Sequence, residues 1–305
     1  MATHRILILL TILWPVVAAI SAPVRVLVWD EQQPAQKQAY TNFLGNEIAA
    51  YLARQPGLVV KAARLDDPEQ GLGQAALNEC DVLVWWGHVR NGEVSIETGR
   101  RIVERIVAGR LSLVALHSAH WSAPFIEAMR ERARQDALGG LPPEERTGAA
   151  LIETNLFDPF RTAPKYTDRL TPEAFYRKTP AAPVEVHLTL PNCCFPAYRP
   201  DGQPSFVRVL VPDHPIVRGV PTEFTIEQTE MYNEPFHVPA PDTVVLEERW
   251  KSGEWFRSGC IWNIGRGKVF YFRPGHEIYP VFKNPSVLRV LGNAVKWLGE
   301  GGAAH

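Results

Sequence analysis

Short, almost wholly apolar runs recur along the first 116 residues of the chain, and amphipathic stretches separate them. Such runs indicate strands that are buried on both faces, as in a parallel sheet covered by helices. The stretches Gln36–Arg54 and Ile96–Ala108 have apolar residues at helical spacing. This alternation predicts an α/β domain with a parallel sheet. The four strand runs are Val24–Trp29, Leu58–Leu65, Asp81–Trp86 and Leu111–Leu116.

The pattern changes after Arg130. The segment Arg130–Pro183 contains Gly139-Gly140 and Pro142-Pro143 together with several aromatic residues. Glycine and proline at this density oppose regular elements, whereas aromatic residues oppose disorder. We therefore expect an insertion at about 130–183 that folds over one edge of the domain, either as a lid or as a surface decoration.

Short β-strand candidates predominate from Val184 onward. Phe256–Trp262 and Lys268–Phe272 flank a turn with two glycines, which predicts a hairpin. A final helix is expected to begin at Asn284-Pro285 and to end at Gly299. The expected fold class is α/β, with a mostly parallel sheet, helices on both faces and a β-rich C-terminal part.

The N-terminus has the features of an export signal. His4 and Arg5 precede the apolar run Ile6–Ile20, and small residues follow it. The run is shorter than the ~20 apolar residues that span a bilayer, so a cleaved signal peptide over residues 1–22 is expected. A retained membrane anchor is the alternative.

Cleavage would leave one domain over residues 23–299 and a tail at 300–305. The mature protein would be periplasmic or secreted, with no membrane association. The net charge of −1 and the lack of a basic cluster argue against nucleic acid as a partner. The four cysteines have no CxxC spacing, which argues against a zinc–thiolate site. We expect no nucleotide cofactor, and the sequence leaves open whether the protein is a homo-oligomer.

Histidines follow two neighbouring strands of the predicted sheet. His88 comes shortly after Asp81–Trp86, and His117 directly follows Leu111–Leu116. Because ligands of open α/β sheets bind at the carboxyl ends of the strands, these histidines are candidate site residues. His276 follows the last predicted strand and is expected at the same edge.

The three histidines form a candidate metal site. Neutral imidazoles from different loops, completed by a carboxylate such as Glu230 or Glu234, are typical ligands of a divalent metal such as zinc. No HExxH motif is present, so the spacing is not diagnostic. The alternative is that each histidine is a hydrogen-bonded structural residue. The expected metal ligands are His88, His117 and His276.

Ser118 offers a different chemistry. A serine at a sharp strand-to-helix turn can be a nucleophile, with His276 and Glu277 as base and orienting carboxylate. Its alternative role is a helix N-cap. Tyr232 and several of the nine tryptophans offer stacking surfaces that suggest a sugar as ligand, although most aromatic residues at strand positions are core.

Six segments, together highly specific, occur in order along residues 24–299. They are LDDPEQGL (65–72), DVLVWWGH (81–88), LHSAH (116–120), HPIVRG (214–219), EMYNEPF (230–236) and FRSGCIWNIGRGKVFYFRPGHEIYP (256–280). They resemble the ThuA family, which is named for trehalose utilisation. The resemblance implies the flavodoxin-like fold of class I glutamine amidotransferases. His117 takes the place of the catalytic cysteine of those enzymes, and His276 and Glu277 match their catalytic His and Glu, so glutamine hydrolysis is not expected.

The resemblance implies an enzyme that acts on trehalose, another disaccharide or a keto-sugar. The expected signal peptide and the insertion at about 130–183 depart from the compact family pattern, and the signal peptide would make the enzyme an exported one. Acid–base or metal-assisted chemistry is expected. The expected catalytic residues are His117, His276 and Glu277, and the expected substrate ligands are Glu230, Tyr232, Glu234 and Arg273. The alternatives are a non-catalytic sugar-binding module and an amidotransferase or peptidase that uses Ser118.

Overall fold

The computed structural model describes residues 22–156, 163–179 and 182–300. The expected signal peptide, apart from residue 22, therefore lies outside the described residues. So do residues 301–305 of the expected tail and residues 157–162 and 180–181 of the expected insertion. Among the described helices, none has both the length and the apolar character needed to cross a membrane.

The described chain contains fourteen strands and six α-helices. The strands are β1 Val24–Asp30, β2 Leu58–Arg64, β3 Val82–Trp86, β4 Ser112–Leu116, β5 Ala150–Thr154, β6 Glu173–Thr179, β7 Ala182–Thr189, β8 Ala197–Arg199, β9 Ser205–Val209, β10 Glu223–Ile226, β11 Met231–Asn233, β12 Thr243–Arg249, β13 Trp255–Ile264 and β14 Gly267–Phe272. The helices are α1 Leu44–Ala53, α2 Gln74–Asn78, α3 Ile96–Val107, α4 Ala123–Gly139, α5 Pro143–Arg146 and α6 Pro285–Glu300.

A nine-stranded sheet runs through the molecule in the order β10-β9-β12-β13-β14-β4-β3-β1-β2. The strands β2, β1, β3, β4 and β14 are mutually parallel, and the remaining four continue the sheet antiparallel. The α/β fold class and the strand-rich C-terminal part are confirmed. The β13–β14 hairpin is confirmed as well.

Helices cover both faces of the sheet. Val26 and Val28 of β1 point to the face that α1 and α6 cover, and Leu27 and Trp29 point to the face of α3 and α4. Successive residues of a strand point to opposite faces, so a strand buried on both sides must be apolar throughout. This is why the central strands are continuous apolar runs.

The prediction of a helix over Gln36–Arg54 is wrong for the first half of this range. Pro34–Gln38 forms a single 3-10 turn, and α1 begins only at Leu44, after Phe43 with φ +61°. The buried carboxylate of Asp30 is the cause, because it accepts hydrogen bonds from the Gln36 side chain and the Gly45 backbone N–H, both at 2.7 Å. These two bonds fold the chain back onto the end of β1 before a helix can form.

The expectation that residues 130–183 lack regular elements is wrong for the described residues. Helix α4 continues to Gly139, and a separate sheet of order β5-β7-β6 follows. The Ser122 hydroxyl caps α4 by accepting from the Phe125 N–H. The two alanines that face the small sheet, Ala133 and Ala137, are too small for a clear helical pattern in the sequence, yet they pack on its apolar face. Gly139-Gly140 ends a helix, and the glycine–proline density after it marks short connections.

Candidate active site

Three histidines meet at the carboxyl edge of the parallel strands. Because β14 pairs with β4 and β4 with β3, all in parallel, the segments that follow these strands lie side by side. The ring centroids of His88 and His276 are 5.4 Å apart, those of His117 and His276 5.9 Å, and those of His88 and His117 6.2 Å. The structure thus brings together the histidines that the strand ends predict.

Two of these histidines have a strained backbone. His117 has φ +50° and His276 has φ +126°, a range that non-glycine residues rarely adopt. The strain at His117 lies in the sharp turn that joins β4 to a 3-10 turn over His117–Trp121. Gly275 allows the two segments to approach, since a Cβ there would lie 2.4 Å from the His117 Cβ. Strain of this kind is concentrated at functional sites.

The hydrogen bonds of His117 fix its tautomer. Its Nδ1 lies 3.1 Å from the Arg273 carbonyl oxygen, which can only accept, so Nδ1 has the proton. In the neutral ring, Nε2 is unprotonated and can accept a hydrogen bond. It lies 3.0 Å from Oε2 of Glu230 and 3.3 Å from the Tyr232 hydroxyl. The imidazole also stacks nearly parallel to the Trp86 ring and to the Tyr232 ring. Packing and hydrogen bonds therefore hold the ring in one orientation.

Glu230 and His117 share one proton. An ionised Glu230 would point a negative oxygen at the Nε2 lone pair, whereas a protonated Glu230 donates to it. Burial raises the pKa of Glu230. Burial, together with the charges of His276 and Arg273, brings the pKa of His117 well below its usual value. Both shifts favour the proton on Glu230, as in a carboxylic acid hydrogen-bonded to a neutral imidazole.

His88 and Glu277 form an ion pair beside this pair. The His88 Nδ1 lies 2.7 Å from Oε2 of Glu277. Burial lowers the pKa of His88, but the hydrogen bond and charge of Glu277 outweigh it and raise the pKa above the usual value. Burial raises the pKa of Glu277, but the hydrogen bond from His88 and the charges of His88 and His276 outweigh it and lower the pKa to about 2. Both shifts favour the charged forms, an imidazolium on His88 and a carboxylate on Glu277.

Glu31 holds the loop of His88 in place. Its carboxylate, at the end of β1, accepts the backbone N–H groups of His88, Val89 and Arg90 at 2.8, 3.0 and 2.9 Å. Sequence analysis missed this residue, because an acidic side chain next to a strand end is the only signal that its local sequence gives.

The donor atoms that lie close enough for a metal differ from the expected set. Among the described residues, one ligand atom each of His88, His276 and Glu277 lies within 4.8 Å of the others. His117 does not join them, because the Arg273 carbonyl engages its Nδ1 while Glu230 and Tyr232 face its Nε2. The strand ends predicted His117 as the third ligand, whereas in the structure the third candidate ligand is Glu277. Two imidazoles and one carboxylate are the ligand set of many catalytic zinc sites.

A small cavity of about 110 Å³ lies above the cluster. Polar and aromatic side chains both line it. His120 lines it with a fixed tautomer, because its Nδ1 lies 2.7 Å from the Cys193 carbonyl oxygen and must donate to it. Burial lowers the pKa of His120 to about 3, so this imidazole is neutral. The residues that line the cavity are His88, Ser118, His120, Trp121, Ala163, Cys194, Phe195, Tyr198, Glu230 and Tyr232.

Ser118 has neither of the roles expected of it. Its Oγ lies 3.2 Å from the Tyr232 hydroxyl, and no imidazole nitrogen of the described residues is within hydrogen-bond distance of it. A serine nucleophile needs such a base, so the geometry gives no support to a hydrolase that uses Ser118. The cap of the following helix is Ser122.

Two of the expected substrate ligands do not face the cavity. The Arg273 guanidinium is fully buried in an ion pair with Glu248 and donates to the carbonyl oxygen of Glu230 at 2.7 Å. The Glu234 carboxylate pairs with Arg257 at 2.8 Å. Both are committed to partners within the protein, and Arg273 acts by holding the backbone of Glu230. Glu230 and Tyr232 line the cavity, as expected of substrate ligands.

Known families and solved structures include relatives of this chain. The family model described as trehalose utilisation, ThuA, matches residues 25–298. A ThuA-like protein from Parabacteroides merdae ATCC 43184 superimposes with a TM-score of 0.56 at 16% identity, covering 92% of this chain and 91% of that one. A second, from Bacteroides uniformis ATCC 8492, has a TM-score of 0.51 at 15% identity and covers 93% and 95%. These two structures support the fold alone. No curated protein matches the chain.

Proposed function

This chain belongs to the ThuA family, and from that premise we propose that it transfers a proton at the carbon next to the carbonyl of a keto-sugar. The family's description supports a role in carbohydrate utilisation in general. The proton transfer is our inference. The single observation that supports it most is the 3.0 Å contact between Glu230 Oε2 and His117 Nε2, at the wall of a cavity that Glu230 lines.

Glu230 is the group that reaches the substrate. It lines the cavity, whereas His117 is fully buried behind it. When Oε1 of Glu230 takes the proton from carbon, Oε2 passes its own proton to Nε2 of His117. The C–H bond breaks, its electron pair forms the enediolate, and His117 becomes an imidazolium whose Nδ1–H still donates to the Arg273 carbonyl. An isomerisation is complete when Glu230 returns the proton to the former carbonyl carbon and the hydroxyl proton moves between the two adjacent oxygens of the enediolate. The return transfer also restores the starting protonation of Glu230 and His117.

The negative charge of the enediolate requires a donor in the cavity. His88 and Tyr232 both line the cavity, and the contact with Glu277 favours the imidazolium form of His88 as such a donor. Fixed donors at the position where charge develops stabilise the transition state strongly, because they need no reorganisation. His276 and Glu277, which sequence analysis expected to be catalytic, act through His88 in this scheme.

A divalent cation such as zinc fits the same donors. His88, His276 and Glu277 would hold it, and the chemistry it supplies when bound is polarisation of the sugar carbonyl. Binding would displace the proton between His88 and Glu277, so the site would hold the metal more weakly at low pH.

We expect His276→Ala to abolish metal retention. The measurement is metal content of the purified protein by mass spectrometry after loading with zinc and desalting. His187→Ala is the matched control, because His187 lies on β7 in the small sheet. A variant at His276 that keeps one zinc per chain would contradict this ligand set.

Proton exchange tests the proposed function itself. In D2O, the protein is expected to exchange deuterium into the position next to the carbonyl of the keto-disaccharide made by oxidising trehalose, as followed by NMR. Binding of this sugar without any exchange would overturn the proposal and favour the alternative, a non-catalytic sugar-binding module.

We further propose that the protein is exported. What supports this is the sequence of residues 1–22, where an apolar run of limited length precedes small residues and Pro23.

A further inference from the structure

The cavity is too small to enclose a disaccharide. Its volume of about 110 Å³ is well below the ~300 Å³ at which pockets begin to enclose larger ligands. One sugar ring placed against Glu230 would fill it, and a second ring would have to lie at its mouth. The side chains at the mouth therefore decide whether a second ring is favoured.

Tyr198 lies at this mouth on the same strand pair as Tyr232. The strands β8 and β11 form an antiparallel ribbon in which Tyr198 is directly opposite Tyr232. Opposite residues of such a pair point to the same face, so both rings lie on the side of the cavity. Tyr232 is buried and contacts His117, whereas the Tyr198 ring is 61% exposed.

Among the residues that the structure describes, none covers most of the Tyr198 ring. It makes no ring contact with another aromatic side chain of the described residues. An exposed aromatic ring next to a buried polar cluster is a surface on which the apolar C–H face of a sugar stacks.

We propose that Tyr198 is a specificity-determining residue that stacks on the second ring of a disaccharide whose first ring occupies the cavity. The substrate class is then a disaccharide or other glycoside with a second ring, in preference to a monosaccharide. This inference rests on the proposed function, because it needs a sugar in the cavity.

The test compares two sugars that differ only in the second ring. Trehalose and methyl α-glucoside, each also as its keto derivative, are titrated calorimetrically into the wild type, Tyr198→Ala and Tyr198→Trp. We expect the wild type and Tyr198→Trp to bind the disaccharide about tenfold more tightly than the methyl glycoside. Tyr198→Ala is expected to lose this preference and to bind the methyl glycoside unchanged. Phe206→Ala, which removes an equally isolated ring that is 50% exposed on β9, is the control.

Each other outcome overturns the inference in a distinguishable way. A wild type that binds both sugars equally, or a Tyr198→Ala variant that keeps the preference, overturns the role of Tyr198 and leaves the proposed function standing. An equal loss for both sugars in Tyr198→Ala indicates a structural role and also overturns it. A folded wild type that binds neither sugar in either form overturns the proposed function and this inference together.

Discussion

Replacing Glu230 with glutamine is expected to lower the rate of deuterium exchange about 100- to 10,000-fold, the usual contribution of a positioned acid–base group. Glutamine keeps the size of the side chain and cannot take a proton from carbon. It also cannot pass a proton to His117, whose Nε2 lies 3.0 Å from the Glu230 carboxyl. NMR exchange rates of the wild type and the variant, together with their melting temperatures, measure the effect.

Glu227→Gln is the matched control for this variant. Glu227 precedes Glu230 by three residues, and its side chain is exposed. We expect its exchange rate to equal that of the wild type. If Glu230 and His117 act as one unit, the double variant Glu230→Gln/His117→Gln loses no more activity than either single variant. Additive losses would mean that the two residues act independently, and full activity in Glu230→Gln would remove Glu230 from the mechanism.

Replacing Arg273 with methionine is expected to destabilise the protein by about 3–5 kcal/mol, because it leaves the charge of Glu248 buried without its partner. Both side chains are fully buried, and the Arg273 Nε donates to Glu248 at 2.5 Å. Arg273 also donates to the Thr229 hydroxyl and the Glu230 carbonyl oxygen. Chemical denaturation of the wild type and the variant measures the loss in the free energy of unfolding.

Two further variants identify the cause of that loss. Arg273→Met/Glu248→Met removes both charges and is expected to recover much of the stability, since a buried ion pair often adds little over apolar side chains of similar size. Arg249→Met breaks an exposed ion pair with Glu247 and is expected to cost less than about 1 kcal/mol. A double variant as unstable as Arg273→Met would show that the hydrogen bonds to residues 229 and 230, and not the lone charge, matter most.

The parallel half of the sheet could be predicted from the sequence because its strands are buried on both faces. A strand such as β3, Val82–Trp86, has no polar position and cannot be mistaken for a half-exposed element. The positions of His88 and His117 follow from it, since parallel strands end at one edge. The convergence of the histidines could thus be predicted from the ends of the apolar runs.

The partners of these histidines could not be predicted in the same way. Glu230 and Glu234 are the same residue type and lie four residues apart, yet one faces His117 and the other pairs with Arg257. That difference depends on the path of β11 and the turn after it, which no periodicity encodes. From the sequence alone, Arg273 could not be distinguished from an arginine that binds substrate. Its buried partner, Glu248, is brought beside it only by the tertiary structure. The continuation of helix α4 past Arg130 was missed because its buried positions there are alanines, Ala133 and Ala137, which give a weak apolar pattern.

The hydrogen bonds from three successive backbone amides to Glu31 affect the conformational entropy that ligand binding costs. The loop of His88 is ordered before any ligand arrives, so substrate binding has little conformational entropy to remove there. Differences in affinity among sugars would then arise from the contacts that each sugar makes at the mouth of the cavity. The entropy cost of ordering a loop would contribute little to them. Such a site discriminates by fit to a rigid template, and its substrate range can change through single replacements at the mouth while the chemical machinery stays intact.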